Sequence, residues 1–252
     1  MKKRGLSHIE VILSFIIFIG AVGFALYFFS PTNSSRLVDT SLDYVNREIS
    51  KNITVNLKTY SISINNSGNQ VNDAHVLAVN ISGICENANG IVKAVNLSGY
   101  NFSSGVGNGN NKCNSQHEDI VLIKNENWAA EDFVYLKLSE DFDESSGNVG
   151  GDPRPNPDFY KLSTVNSEDL FSEKRILNLN KTYYEDYYGL KKQFNLPGRV
   201  NFGFSFSFTN DDEIKVENPV PSGLEVFSKV DRVEVLRKNG KVEYADFTMK
   251  VW

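Results

Sequence analysis

Apolar and polar positions divide the chain into four stretches: a short polar start, an unbroken apolar run, an amphipathic segment and a long alternating body. Val11 to Phe29 is a run of 19 residues without a charge, with Ser14 as its one small polar residue. As a helix this run covers about 28 Å, close to the hydrocarbon thickness of a bilayer. Ser30-Pro31 opposes continuation of the helix, because Pro lacks an amide proton and restricts the residue before it. Within Ser34–Ser50, Leu37, Val38, Leu42, Val45 and Ile49 recur at helical spacing, while Asp39, Asp43, Arg47 and Glu48 take the other faces. That spacing predicts an amphipathic continuation of the first helix, with a kink or break at Pro31.

Beyond residue 52 the period shortens to that of strands. Ile53–Leu57, Tyr60–Ile64, His75–Ile81, Ile91–Leu97, Asp119–Lys124 and Phe133–Leu138 are short and rich in β-branched residues, and Asn/Gly/Ser clusters separate them. Val200–Thr209 alternates aromatic with small or polar residues, as a half-buried strand does. Val230–Arg237 and Lys241–Trp252 flank Lys238-Asn239-Gly240, and the Asn-Gly pair favours a tight hairpin turn. One further helix is predicted at Tyr183–Asn195. Thr182 and Glu185 have capping-box spacing at its start, and Leu196-Pro197-Gly198 ends it. Residues 139–158, rich in Gly, Pro and acid, read as a long exposed loop and as the place for a seam between two β lobes. The expected class is α+β: a long N-terminal hydrophobic helix, then a mainly antiparallel β head with one inserted short helix.

Charge narrows the partners. The chain carries −5 overall, but Lys2, Lys3, Arg4 and Glu10 give its start +2, so the remainder stands at −7. Such a body repels phosphate backbones and argues against nucleic-acid binding. The basic triplet before the apolar run sets a cytoplasmic N-terminus and an outside head by the positive-inside rule. Cys85 and Cys113 either form one bridge closing a loop of roughly 28 residues, worth about 3 kcal/mol in the chain-entropy model, or remain two thiols in a sheet.

The N-terminus holds the strongest signal. A secretory signal peptide has a shorter apolar core with a small-residue cleavage site behind it, and Leu26-Tyr27-Phe28-Phe29 offers none. A plain anchor fits the length, yet gains nothing from Glu10, whose desolvation at the edge of the apolar run costs on the order of 1 kcal/mol or more. Lys2-Lys3-Arg4-Gly5, then Leu6-Ser7-His8-Ile9-Glu10 and the apolar helix, resembles the class III signal of type IV prepilins. The resemblance covers about 25 of the 252 residues. It implies cleavage by a membrane prepilin peptidase between Gly5 and Leu6, so that 1–5 is a leader, 6–50 an assembly helix with its extension, and 51–252 the extracytoplasmic head. Leu6 then becomes the new N-terminus, with Glu10 four residues behind it. In a packed bundle that carboxylate neutralises the α-amino group of a neighbouring subunit and sets the axial register. The commonest bacterial form has Phe where this chain has Leu6, and Thr-Leu-Ile/Val where it has Ser7-His8-Ile9. Together with the sequons below, that points to an archaeal-type member. Assembly into a pilus or pseudopilus through an assembly platform and a cytoplasmic ATPase, and self-association into a filament, follow from the resemblance alone.

Asn-x-Ser/Thr sequons begin at Asn33, Asn52, Asn65, Asn80, Asn96, Asn101 and Asn180, and outside the cell these are candidate glycosylation sites. Asn-rich composition also generates sequons by chance. Asp141, Asp143, Ser145 and Asp152 have the spacing of a twelve-residue calcium loop, but Ser146 stands where such a loop needs Gly, and a solvated acidic loop fits better. Cys113 and His117, with Cys85 or His75, fall short of a zinc set. There is no Gly-x-Ser-x-Gly, and Gly105-Val106-Gly107-Asn108-Gly109 has no helix after it to cradle a phosphate. Phe202, Phe204, Phe206 and Phe208 read as core at strand spacing rather than as a binding face. No enzyme activity, cofactor or metal is expected. The alternative to a filament subunit is a membrane-tethered surface protein that binds glycan or protein and never polymerises.

Overall fold

The computed structural model describes residues 8–28, 31–65, 76–84, 91–106, 119–126, 128, 132–143, 149, 155–210 and 212–252. Helix α1 spans His8–Phe28 and helix α2 spans Pro31–Ile53. Residues 29 and 30 between them lie outside the described set, but α2 opens on Pro31, where a helix tolerates the missing N–H. The two helices meet opposite environments. Every described side chain from Glu10 to Tyr27 is exposed. In α2, Leu42, Val45, Ile49 and Ile53 are buried against the sheet. The amphipathic stripe therefore packs as its spacing requires, and extends one turn further than Ser50.

Among the described residues eleven strands follow: β1 Thr54–Ile64, β2 Val76–Asn80, β3 Val92–Asn96, β4 Asn101–Val106, β5 Ile120–Lys124, β6 Phe133–Leu138, β7 Tyr160–Ser172, β8 Phe202–Phe208, β9 Glu213–Val216, β10 Phe227–Leu236 and β11 Val242–Val251. They lie in one sheet in the order β2-β5-β4-β3-β6-β1-β7-β10-β11-β8-β9. Among the described residues every neighbouring pair is antiparallel except β7 with β10, which is parallel and touches only at Val235 with Phe171 and Leu236 with Ser172. An N-terminal apolar helix followed by a mostly antiparallel sheet with a few helices is the observed architecture.

The sheet carries two main cores. One lies where α2 crosses the C-terminal strands: Val45, Ile49 and Ile53 meet Phe202, Phe204, Phe206, Phe247 and Met249. The aromatic strip of β8 is thus core, with Phe206 stacked on Phe247 at 4.6 Å. The second core arises because β4 changes partners. Phe102 and Asn101 pair with β3, whereas Ser103 to Val106 pair with β5. The sheet folds at that corner, and Leu77, Val79, Val121 and Ile123 come to share a core with Ile62, Val92, Val134 and Leu136. Where the β3–β4 backbone ladder stops, the buried Ser104 hydroxyl takes over. It accepts from the Ala94 N–H and donates to the Val92 carbonyl, both at 3.1 Å.

The helical insert differs from expectation. Helix α3 spans Glu173–Glu185 and α4 spans Tyr187–Gln193, so there are two helices where one was predicted at Tyr183–Asn195. Ser172 caps α3 by accepting from the Arg175 N–H, and Thr182 lies inside the helix with its hydroxyl bonded back to the Asn178 carbonyl. Asp186 ends α3 and caps α4 through the Gly189 N–H, at 2.9 Å. The buried stripe Ile176, Leu179, Tyr183 is what holds α3 in place. The two strands expected at Ile53–Leu57 and Tyr60–Ile64 are one, since β1 runs through the intervening Lys58 and Thr59, and Ile53 itself ends α2.

Candidate functional site

Among the described residues, α1 is the one helix long and apolar enough to cross a membrane, over Glu10–Tyr27. Its 18 residues rise about 27 Å. Ile12, Phe15, Ile16, Ile17, Phe18 and Phe24 are each between 59 % and 64 % exposed, on all sides of the helix. A soluble fold buries such side chains at roughly 1.5–3 kcal/mol apiece. These side chains gain none of that burial from the described head. Glu10 stands in its first turn. Gly5 and Leu6 lie outside the described residues, and of His8 only the backbone is described.

The attachment of α2 to the head is polar at its rim as well as apolar at its centre. Lys229 Nζ lies 3.4 Å from Asp43, and Asn46 donates to Asp231 at 3.3 Å. Where α2 turns into β1, Arg175 closes the junction. It donates to the Thr54 carbonyl at 2.6 Å and to Asp141 at 2.7 Å, and its remaining nitrogen meets Glu140. Asp141, which has calcium-loop spacing within the expected solvated acidic loop, is thus paired with a guanidinium. Ser145, Ser146 and Asp152 lie outside the described residues, and no group of three or more metal-ligating side chains occurs among those described.

Two further contacts fasten the head. The Lys238-Asn239-Gly240 turn joins β10 to β11 with Gly240 at φ 86°, as the Asn-Gly signal requires. Lys93 donates to its Lys238 carbonyl at 2.8 Å and Lys137 to its Gly240 carbonyl at 3.1 Å, tying the C-terminal hairpin to β3 and β6. Burial pulls both ammonium groups below the usual lysine range, against the partly opposing charges of Asp143 and Glu168. On the other core, Tyr183 donates to the Phe202 carbonyl at 2.6 Å and accepts from the Asn218 N–H at 3.1 Å. Burial pushes its hydroxyl, and that of Tyr187, above the ordinary tyrosine value.

The sequons fall into distinct environments. Asn52 is half-buried in the last turn of α2, donating to the Glu48 carbonyl and accepting from Gln193. Asn180 is half-buried on α3. Asn65, Asn80 and Asn101 are exposed at strand ends. Asn96 folds its carbonyl oxygen over the β3–β4 turn, accepting from Ser98 and Tyr100 N–H groups at 3.0 and 2.9 Å. Asn33 lies in α2, with its side chain outside the described set. Cys85, Cys113, His75 and His117 also lie outside the described residues, as do Gly107–Gly109; Gly105 and Val106 belong to β4.

A cleft of about 490 Å³ lies at the corner where β4 passes from β3 to β5. Tyr100, Phe102, Lys124 and Glu126 line it. Strand spacing alone did not draw attention to it. The available signal was the exposed aromatic Tyr100 directly after the Ser98-Gly99 turn. No family model, curated protein or solved structure matches this chain.

Proposed function

We propose that this chain is a pilin-like structural subunit, held in the membrane by α1 before assembly and packed through the same helix into a type IV pilus-like filament or secretion pseudopilus. The observation that carries the reading is the contrast between two consecutive helices. Side chains of α1 are bare from Glu10 to Tyr27, while α2 is docked into the head through Leu42, Val45, Ile49 and Ile53. A helix of the first kind suits lipid and then a helical bundle; one of the second kind belongs to the head that the bundle would carry. Glu10 at the start of α1 supplies the single carboxylate that would pair with a neighbour's amino terminus inside the fibre. Gly5-Leu6 would be the peptidase site, and the head would face outward. On this reading the chain acts by assembling, through the peptidase, platform and ATPase that the resemblance implies, and not by catalysis.

Mass spectrometry of protein from cells holding a prepilin peptidase tests the processing step. The expected product begins at Leu6; a chain that keeps residues 1–5 there would sink it. Glu10→Ala should insert into the membrane normally and lose filaments in electron micrographs. Wild-type filament numbers from that variant would remove the register role, and absence of filaments from the unaltered protein would favour a tethered, non-polymerising surface protein.

A further inference from the structure

We propose that the corner cleft of the head takes a saccharide. The site is built by the sheet fold itself. At Phe102 strand β4 leaves β3, at Ser103 it joins β5, and the two layers part there. Tyr100 stands 66 % exposed at the mouth. Its ring meets Phe102 edge-on at 5.7 Å, and Phe102 in turn rests against the buried Trp128 at 5.6 Å. An exposed aromatic is thereby backed by two further rings and cannot fold down into the cleft. The turn beneath it is equally fixed, since Asn96 accepts from the Tyr100 backbone N–H.

The lining supplies the complement. Lys124 and Glu126 line the same cleft, with Asn101 and Ser103 on the adjoining stretch of β4. Donors and acceptors of both kinds beside one flat aromatic face match a molecule that is hydroxylated at its edge and C–H-rich on its face, which describes a pyranose. The electron-rich ring face attracts the polarised C–H groups, and the polar rim satisfies the hydroxyls. A purely anionic ligand would meet Glu126, and a purely apolar one would strand the rim groups. The volume of about 490 Å³ sits within the range of small-molecule clefts and accommodates a disaccharide.

Two sources share this chemistry. A free or cell-surface glycan is one, and a glycan on the chain's own Asn101 sequon is the other. The inference does not depend on filament assembly, because the cleft belongs to the β3–β4–β5 corner and not to the core that receives α2.

The test uses the detergent-solubilised full chain from a host without Asn-glycosylation, titrated with cellobiose, N,N′-diacetylchitobiose and mannobiose by saturation-transfer NMR. At least one should bind with a dissociation constant on the order of 1 mM. Tyr100→Ala should weaken it about tenfold or more, whereas Leu97→Ala, exposed on the adjoining turn, should not; Trp128 fluorescence checks that both variants are folded. Protein from a glycosylating host separates the sources. Loss of binding there, regained in Asn101→Gln, assigns the cleft to the chain's own glycan; unchanged binding assigns it to an external one. No transfer from any of the three sugars at about 10 mM, or undiminished transfer to Tyr100→Ala, overturns the proposal.

Discussion

Ile17→Ala and Ile49→Ala make the same chemical change on consecutive helices and should have opposite consequences. Ile49 is fully buried between α2 and the C-terminal strands, and Ile17 is 64 % exposed on α1. Truncation removes three carbon atoms. At about 0.8 kcal/mol per buried methylene, the transfer loss at position 49 is about 2.4 kcal/mol. A cavity term adds to it, since the Phe side chains opposite Ile49 project from a paired strand and cannot close the gap freely. The expected loss is therefore about 3 kcal/mol, a drop in unfolding midpoint of roughly 6–12 °C for a head of this size. At position 17 the folded head loses no contact, and the change should stay within about 0.5 kcal/mol. The measurement is denaturant unfolding of the full chain in detergent, followed by Trp128 and Trp252 fluorescence. Equal destabilisation by the two variants would mean that α1 packs on the head, and would refute the division of labour between the helices. In filaments the ranking should reverse, with Ile17→Ala reducing assembly more than its effect on the head predicts.

Other outcomes follow from the polar contacts. Tyr183→Phe leaves the buried Phe202 carbonyl and Asn218 N–H without their partner and should cost about 2–4 kcal/mol. Because burial raises this hydroxyl above 10.0, both folded and unfolded chains keep the proton below about pH 10 and the contribution is complete there. Above pH 10 the unfolded chain ionises first, so stability falls as pH rises toward the folded value. Tyr183→Phe should flatten that alkaline slope in pH-dependent unfolding, and an unchanged slope would refute the assignment. Arg175→Met should cost about 2–3 kcal/mol by chemical denaturation, because it uncouples the Thr54 carbonyl and Asp141 together. A loss below about 0.5 kcal/mol would show the α2–β1 junction to be held by packing alone.

Several elements could be read from residue order, for local reasons. Apolar spacing alone predicted the α2 face, because Leu42, Val45 and Ile49 must share one side of any helix they form. The Asn239-Gly240 turn and the strands on either side were equally legible, since Gly240 supplies the φ > 0 position that the turn uses. Strand β7 was not. Tyr160–Ser172 is mostly polar and exposed on both faces, and carries no alternation to detect. It is a strand because β1 lends it a ladder from Thr54 opposite Phe171 to Ile64 opposite Tyr160. Helix α3 escaped notice because Ser172 caps it without a capping-box partner and its stripe Ile176, Leu179, Tyr183 is sparse.

Residue order by itself determined that an uncharged apolar segment precedes an amphipathic helix and a strand-rich body, since charge and periodicity are properties of neighbours along the chain. Tertiary structure alone decided which strands the apolar face of α2 meets. It also decided that β4 turns a corner at Ser103, and that Tyr100, Lys124 and Glu126 line one cleft. Those facts depend on strand order and on the partner each edge finds, and such partners lie tens of residues away, where no local pattern can record them.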